Sequence, residues 1–456
     1  MYNIQQESLF SLQDLLEMSP KDTFAYLFET LDINPFLRVV SKKAFLGAPT
    51  QLNYVAMLQS LFIRIVERIP TIKDLRKRLK RSIEFSTDCG FMGSDRIPSE
   101  ASYTRLIQKL LQSEVFQQSQ QDLVKQAFHE GFIDASAVAI DATHVEARDR
   151  QPEKKKEDSQ PLNTKTPTKK RGRKSKGERE QWLKEQLELE ENRTLFEKKV
   201  ETQASYSYDE LVKEIPLTPA WGVKKNSEGK NVFWYGFKAH LVVDCKSQYI
   251  LVALLTSGNM NDGKLAIPLL KGLAEKHPEL AISQVIADAG YDLVPIYKQV
   301  ESMGARALID YNRRNEHQED GMDKYFRPVC KEGHSYRYDS FDPKYETVKY
   351  TQPKECSTCP FNDGHCQKVF KKKIDDNQRR YTVPARGSDR YREQYKKRTA
   401  VERVNAYLKE FFQLNNIRHR GALAKVDFEF ACLTYTACKL TADRLNQYIK
   451  MKKSTA

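Results

Sequence analysis

Ala137-Val138-Ala139-Ile140-Asp141-Ala142-Thr143-His144 and Val285-Ile286-Ala287-Asp288-Ala289-Gly290-Tyr291-Asp292 are the stretches on which the fold turns. Each is a short apolar run of small and β-branched residues that meets a carboxylate. Such runs, apolar without alternation, read as strands covered on both faces of a sheet. Between them, Val232–Val243 and Tyr249–Leu255 are rich in aromatic and β-branched residues and flank a Cys245-Lys246-Ser247 turn. That pattern reads as an antiparallel hairpin. Asn259-Met260-Asn261-Asp262-Gly263 caps a helix that runs to about Lys276. Gln284–Asp288 reads as a buried strand, Val294–Met303 as a helix and Ala305–Asp310 as another strand. The order predicts a mixed α/β layout, with a hairpin flowing into parallel strands.

A third carboxylate falls on a different kind of element. Tyr395, Arg398, Glu402 and Lys409 read onto one long amphipathic helix. At about 100° per residue they fall within a stripe roughly 60° wide. Ala400, Val401, Val404, Tyr407, Leu408 and Phe411 fall on the opposite, core-facing side. The polar stripe is either an ordinary solvated face of mixed charge or a working one. In the second reading Glu402 is a metal ligand, Arg398 and Lys409 take phosphate oxygens, and Tyr395 lies against sugar or phosphate. Carboxylates from two strands and a helix, Asp141, Asp288 and Glu402, suit a pair of hard divalent cations with positions open to phosphate. The chain therefore reads as a metal-dependent enzyme acting on phosphodiesters. Asp262 reads as a helix cap, Asp244 and Asp310 as turn residues, and Asp292 as a further carboxylate close to a strand end. His144 and His240 read either as packing or hydrogen-bonding residues or as contacts to a phosphate backbone or attacking water, and Trp234 either as core or as a stacking surface for an unpaired base.

Working outward, residues 1–135 read as helical, with apolar residues at three- and four-residue spacing in Leu12–Met18, Lys21–Leu31 and Leu52–Glu67. Pro98-Ser99-Glu100 opens a long helix through Tyr103, Leu106, Leu110 and Leu111 towards Gly131. Arg76, Lys77, Arg78, Lys80 and Arg81 give this part a basic face, either a helix-turn-helix-like DNA reader or a solvated bundle surface. Residues 136–150 hold the first strand, and 151–215 form a charged insert. Within it Ser159–Gly177 has no acidic residue, and Lys169, Lys170, Arg171, Arg173 and Lys174 around Gly172 form a basic run that seeks phosphate or a minor groove. Glu178–Val200 reads as a charged helix in which Trp182 packs. Residues 216–311 continue the sheet, 312–390 form a cysteine-rich insertion, and 391–456 carry the Glu402 helix and the C-terminal helices.

The motifs taken together resemble the DDE class of bacterial insertion-sequence transposases, in the branch with a Tyr-Arg-Glu-Lys signature. Tyr395, Arg398, Glu402 and Lys409 match that signature, and Ile140-Asp141-Ala142-Thr143 is similar to the family's first-Asp strand. Tyr235-Gly236-Phe237-Lys238-Ala239-His240, followed by Val243-Asp244, resembles the second strand. Ser257-Gly258-Asn259-Met260-Asn261-Asp262 resembles the strand-to-helix loop. Ala287-Asp288-Ala289-Gly290-Tyr291-Asp292 resembles the second-Asp motif, and Arg418-His419-Arg420-Gly421 the segment after the Glu helix. The resemblance implies an RNase H-like mixed-sheet catalytic core with a helical N-terminal domain and a cysteine-rich insertion. It implies two Mg²⁺ ions, or Mn²⁺, on Asp141, Asp288 and Glu402, and double-stranded DNA, both element ends and target, as partner. Arg418 and Arg420 join the expected DNA contacts, and the active form is expected to be a homodimer or higher oligomer on DNA.

Composition bounds the reading. With 456 residues, 40% of them apolar, the chain is long enough for a sizeable core. A formal net charge of +14 favours a polyanionic partner. No stretch approaches the length of a membrane span, and eight cysteines are too sparse for a disulfide scaffold, so a cytoplasmic protein with no membrane partner is expected. Cys330, Cys356, Cys359 and Cys366 lie in a polar segment with little core of its own. They are either structural Zn²⁺ ligands, with His334 or His365 as substitutes, or plain thiols. Cys89, Cys245, Cys432 and Cys438 read as buried reduced thiols. Two rivals stand beside a transposase: a domesticated RNase H-like nuclease, and a zinc-containing DNA-binding regulator without catalysis.

Overall fold

The computed structural model describes residues 18–41, 52–151, 176–225, 228–314, 316–317, 319–360 and 366–455. The basic run Lys169, Lys170, Arg171, Arg173 and Lys174, His365, and all but the end of Leu12–Met18 lie outside them.

Among the described residues seven helices precede the first strand: α1 (Pro20–Thr30), α2 (Asn34–Val40), α3 (Tyr54–Val66), α4 (Ile72–Arg81), α5 (Ile83–Asp88), α6 (Glu100–Leu111) and α7 (Val115–His129). Their starts are written locally. Asn53, Thr71, Ser82 and Ser99 each accept a hydrogen bond from the backbone N–H three residues on, which satisfies a donor the first turn leaves unpaired. The single long helix expected from Pro98-Ser99 to Gly131 is two. Ser113 Oγ donates to the Leu110 carbonyl at 2.8 Å, and such side-chain competition ends α6 before α7 begins.

The main sheet holds β1 (Ala137–Glu146), β2 (Ala220–Lys225), β3 (Asn231–Asp244), β4 (Ile250–Ser257), β5 (Gln284–Ala287) and β6 (Arg306–Ile309) in the order β2-β3-β1-β5-β6. β3 is long enough to take two partners end to end on one edge: β2 along Asn231–Gly236 and β4 along Phe237–Val243. β1 runs antiparallel to β3 and parallel to β5, so the expected change from hairpin to parallel pairing takes place at β1 itself. Gly236 lets β3 approach the end of β1 closely, because a Cβ there would stand 2.2 Å from the Val145 carbonyl oxygen.

Between β1 and β2 lie α8 (Lys176–Glu191) and α9 (Tyr208–Lys213); α10 (Ala266–Lys276) follows β4 and α11 (Val294–Ser302) follows β5. α8 stops well short of Val200. Trp182, expected to pack, is 42% exposed, because α8 buries none of its residues. A separate three-stranded sheet follows β6: β7 (Arg337–Asp342), β8 (Thr347–Thr351) and β9 (Val369–Lys373). The chain ends in α12 (Asp389–Tyr395), α13 (Thr399–Glu410) and α14 (Ala424–Thr455).

The N-terminal helices and α14 share one core with the sheet. Phe36, Phe62, Phe116 and Phe430 form a ring of edge-to-face contacts, with Phe62 and Phe430 centroids 4.9 Å apart. Beside that ring, buried Arg64 on α3 meets buried Asp427 on α14 at 3.0 Å. No helix among the described residues is long and apolar enough to cross a membrane.

Candidate metal-dependent active site

The register of two strands assembles the acidic centre. Ile140 on β1 is the parallel partner of Ala287 on β5, so the next residues, Asp141 and Asp288, stand side by side at roughly the 4.8 Å inter-strand spacing. Asp288 leaves β5 as the cap of a short turn, accepting the Gly290 N–H at 2.8 Å. Burial, then the Asp288 charge, pushes the Asp141 carboxyl up to about 7. Burial also raises Asp288, and the Asp262 and Asp310 charges add to it.

Asp262 is therefore not the helix cap expected. Asn261 caps the turn, accepting the Gly263 N–H at 3.0 Å, while Asp262 faces the acids and pairs with Lys238 Nζ at 2.8 Å. Packing forces this arrangement, since a Cβ on Gly263 would lie 2.9 Å from the Gly290 carbonyl oxygen and the two loops are in contact. Asp244 is the turn residue expected, accepting Ser247 N–H at 2.7 Å. Asp292 is fully buried and ion-paired with Arg379 at 2.9 Å.

The expected long helix bearing Glu402 is broken. α12 ends at Tyr395, Lys396–Arg398 form a 3-10 turn, and α13 starts at Thr399. Three adjacent cations crowd that turn, and Thr399 Oγ1 donates back to the Lys396 carbonyl at 3.0 Å, tightening it. Tyr395 and Arg398 thus precede α13, yet the four residues stay on the acidic side: Arg398 meets Glu402 and the Tyr395 ring, and Lys409 feels the Asp141 charge. On α13 itself Ala400, Val401, Val404 and Leu408 are buried, and Glu402 is exposed. Arg398 reaches forward to Glu402 in an ion pair. Its positive charge also acts on Asp141 and Asp288, lowering both, so the guanidinium lies among all three acids. Tyr395 stacks on Tyr391 with centroids 5.7 Å apart, and its ring is 5.9 Å from the Arg398 guanidinium.

Lys409 Nζ lies 3.3 Å from His144 Nδ1, and Lys224 Nζ lies 3.1 Å from the same nitrogen. Burial, then the Lys224 charge, lowers the Lys409 ammonium to about 8. Burial and the two lysines hold His144 down at about 4, so it is neutral at pH 7. Read from sequence as a packing or hydrogen-bonding residue, His144 does both, lying 5.5 Å from the Trp234 ring and belonging to a basic cluster beside the acids. His240 is buried and bonded to Thr256 Oγ1 at 2.9 Å, and Trp234 is buried. Arg418 and Arg420 are exposed on a loop tied to Asp427 through the Arg418 N–H and to Asp149 through the Gly421 N–H.

Sequence reasoning missed Asn405. One turn beyond Glu402 on the buried face, it donates to Asp141 Oδ2 at 3.2 Å. Its signal was an amide inside an apolar band, where a polar group must find a partner.

The donor set fits hard divalent cations: carboxylate oxygens only, two of them crowded enough to resist ionisation together. Glu402 is turned to Arg398, and ions about 3.5–4 Å apart would span a donor set wider than a one-ion cage. Among the described residues, the one acidic trio with oxygens mutually within 4.8 Å is Glu301, Glu346 and Asp375, outside this site. A pH dependence follows. With its pKa raised, Asp141 favours the folded state fully below its unfolded value of 3.8, and that contribution is lost as pH rises through about 7. A bound cation offsets the loss, so Mn²⁺ is expected to raise Tm more at pH 8 than at pH 5.5. Equal shifts at both pH values would contradict the assignment.

Two family models match the chain. A family model described as the transposase DDE domain matches residues 133–435, and one described as a transposase domain (DUF772) matches 13–109. No curated protein matches the chain. A solved structure of a piggyBac transposase synaptic complex with hairpin DNA is 11% identical, with 94% of this chain and 79% of that one covered. Its TM-score is 0.35, a likeness too slight to carry weight. The transposase DDE-domain match alone takes in well over half of the residues, from before β1 into α14, and the chain belongs to that transposase family.

Proposed function

We propose that this chain is a DNA transposase of an insertion sequence, in the Tyr-Arg-Glu-Lys branch, which binds the element's terminal inverted repeats, cleaves there and joins the freed 3′-hydroxyls to target DNA. The observation that carries the reading is Asp141 beside Asp288 in parallel register, with the Arg398–Glu402 pair against them. A central β1 flanked by antiparallel β3 and β4 on one side and parallel β5 and β6 on the other supports an RNase H-like description of the core.

Asp141, Asp288 and Glu402 would hold two Mg²⁺ or Mn²⁺ ions. When bound, such ions activate an attacking oxygen and stabilise a leaving one. The chain's own side chains do the rest. Asn405 fixes the Asp141 carboxylate by its hydrogen bond. Arg398, drawn from Glu402 by an arriving phosphate, offers a planar fork to non-bridging oxygens. Lys409 and Lys224, with neutral His144 between them, neutralise backbone charge beside the cleaved bond. The basic run at Lys169–Lys174 and the exposed Arg418 and Arg420 serve phosphate contact along the duplex. The working form is a homodimer or higher oligomer on DNA, within a bacterial cytoplasm.

The test is a strand-transfer assay on labelled element ends. Mg²⁺-dependent nicking at the repeat boundary, followed by joining to a target plasmid, is the expected result. DNA binding with no cleavage under any divalent ion would contradict the reading.

A further inference from the structure

We propose that Cys330, Cys356, Cys359 and Cys366 form a four-thiolate Zn²⁺ site that folds the insertion, and that the folded insertion clamps the loop following Asp288. The consequence for catalysis rests on the reading of Asp288 given above; the metal site and the clamp do not.

Strand register brings the four cysteine-bearing segments to one edge of the small sheet. Arg337 at the start of β7 pairs with Thr351 at the end of β8, and Thr351 pairs with Val369 at the start of β9. Those three strand ends share one edge of the small sheet. Cys330 precedes β7, Cys356 and Cys359 follow β8, and Cys366 precedes β9, so all four fall at that edge. The local turns suit a metal knuckle. The Cys330 carbonyl accepts the Gly333 N–H and the Cys330 N–H donates to the His334 carbonyl, both at 2.9 Å. Gly333 closes that turn at φ +82°, a conformation a Cβ would strain. Cys356 lies in the 3-10 turn Lys354–Ser357, from which Cys359 follows at Cys-x2-Cys spacing. Tyr336 Oη donates to the Gln367 carbonyl at 2.6 Å, fastening the Cys330 arm to the Cys366 arm. Among the described residues no three of these sulfurs lie within 4.8 Å of one another, so the ion itself must draw the thiols together at this edge.

Burial alone is a poor account of why this sheet folds. Its fully buried core is Tyr336, Val348, Tyr350, Ile374 and Ala385. Modules with so little core are commonly held by a metal, and four thiolates select Zn²⁺ over harder ions.

The segment after β9 fastens this module to the catalytic sheet. Arg379 donates through Nε and Nη2 to Asp292 Oδ2 at 3.1 and 2.9 Å. Asp292 also accepts Tyr297 Oη and the Asn312 N–H, both at 2.9 Å, and it closes the turn that begins at Asp288. Buried Arg386 donates to the Ile309 carbonyl at the end of β6 and to Tyr297 Oη. A module that unfolds would take both arginines with it.

The test uses the full chain, purified without added metal. Elemental analysis is expected to find about one zinc per chain. Removing it with a strong chelator, or with the Cys356→Ser/Cys359→Ser variant, is expected to open tryptic sites within residues 312–388 while the sheet from β1 to β6 stays protected. Amide exchange in residues 288–293 is expected to quicken about tenfold, and Zn²⁺ but not Mg²⁺ to reverse both effects. Zinc below about a tenth of an equivalent, or a double variant as trypsin-resistant as wild type, would overturn the metal site. Unchanged exchange in residues 288–293 on zinc loss would overturn the clamp. None of these readouts involves DNA, so they hold even for a protein that cleaves nothing.

Discussion

Asp141→Asn, Asp288→Asn and Glu402→Gln, made singly, are each expected to lower Mg²⁺-dependent strand cleavage by about 10³-fold or more, while DNA-end binding persists. Losing a ligand to a catalytic ion forfeits several kcal/mol of transition-state stabilisation, and about 4 kcal/mol is a thousandfold in rate. The three variants should part company in stability, which separates a catalytic from a merely structural role. Asp141 is crowded by burial and by Asp288, so its neutral isostere relieves strain in ion-free protein. Asp141→Asn is expected to raise Tm at pH 8, by about 1 °C for each kcal/mol gained in a chain of this length. Glu402 is exposed and paired with Arg398, so Glu402→Gln is expected to be near neutral, as surface pairs generally are. A variant that lost activity and several kcal/mol of stability together would mark its carboxylate as structural.

Arg64→Met is expected to cost about 3–5 kcal/mol, because it strands a buried carboxylate. Asp427 is 7% exposed and gathers Arg64, the His419 ring at 2.9 Å and the Arg418 and His419 N–H groups. Burial pushes the Asp427 carboxyl up, but the His419 hydrogen bond and the Arg64 charge outweigh it and hold it well below the usual range. A depressed carboxyl adds stability above its unfolded value of 3.8 and loses it as pH falls towards the folded value. Wild type should therefore lose stability steeply below about pH 4, and Arg64→Met less steeply. The double variant Arg64→Met/Asp427→Asn should lose less than the sum of the single ones. Additive losses would show that the two side chains do not act as a pair. The pair joins α3 to α14 and sets the loop carrying Arg418 and Arg420, so the N-terminal helices and the main sheet, which share one core, should unfold as one unit.

Much of this was legible in the chain because strands announce themselves by composition. The apolar runs ending at Asp141 and Asp288 are strands, and the hairpin between them fits an order in which the second returns parallel to the first. Local competition was harder to read. Ser113 and Thr399 each turn a hydroxyl onto a carbonyl of the preceding turn, splitting helices that periodicity joins. Asp262 carries the residue type of a cap, but contact between the loops at Gly263 and Gly290 points it at the acids instead. His144 was legible as a packing or hydrogen-bonding residue, but its partner Lys224 was not, because it is distant in sequence. Trp182 sits on a helix that buries nothing, and periodicity does not report what a helix packs against.

The position of a bound divalent ion is the most direct test of the acidic centre. Anomalous scattering from crystals soaked in Mn²⁺ is expected to place an ion about 2.2 Å from carboxylate oxygens of both Asp141 and Asp288. An ion found only at the Glu301, Glu346 and Asp375 cluster, with none at Asp141, would contradict it.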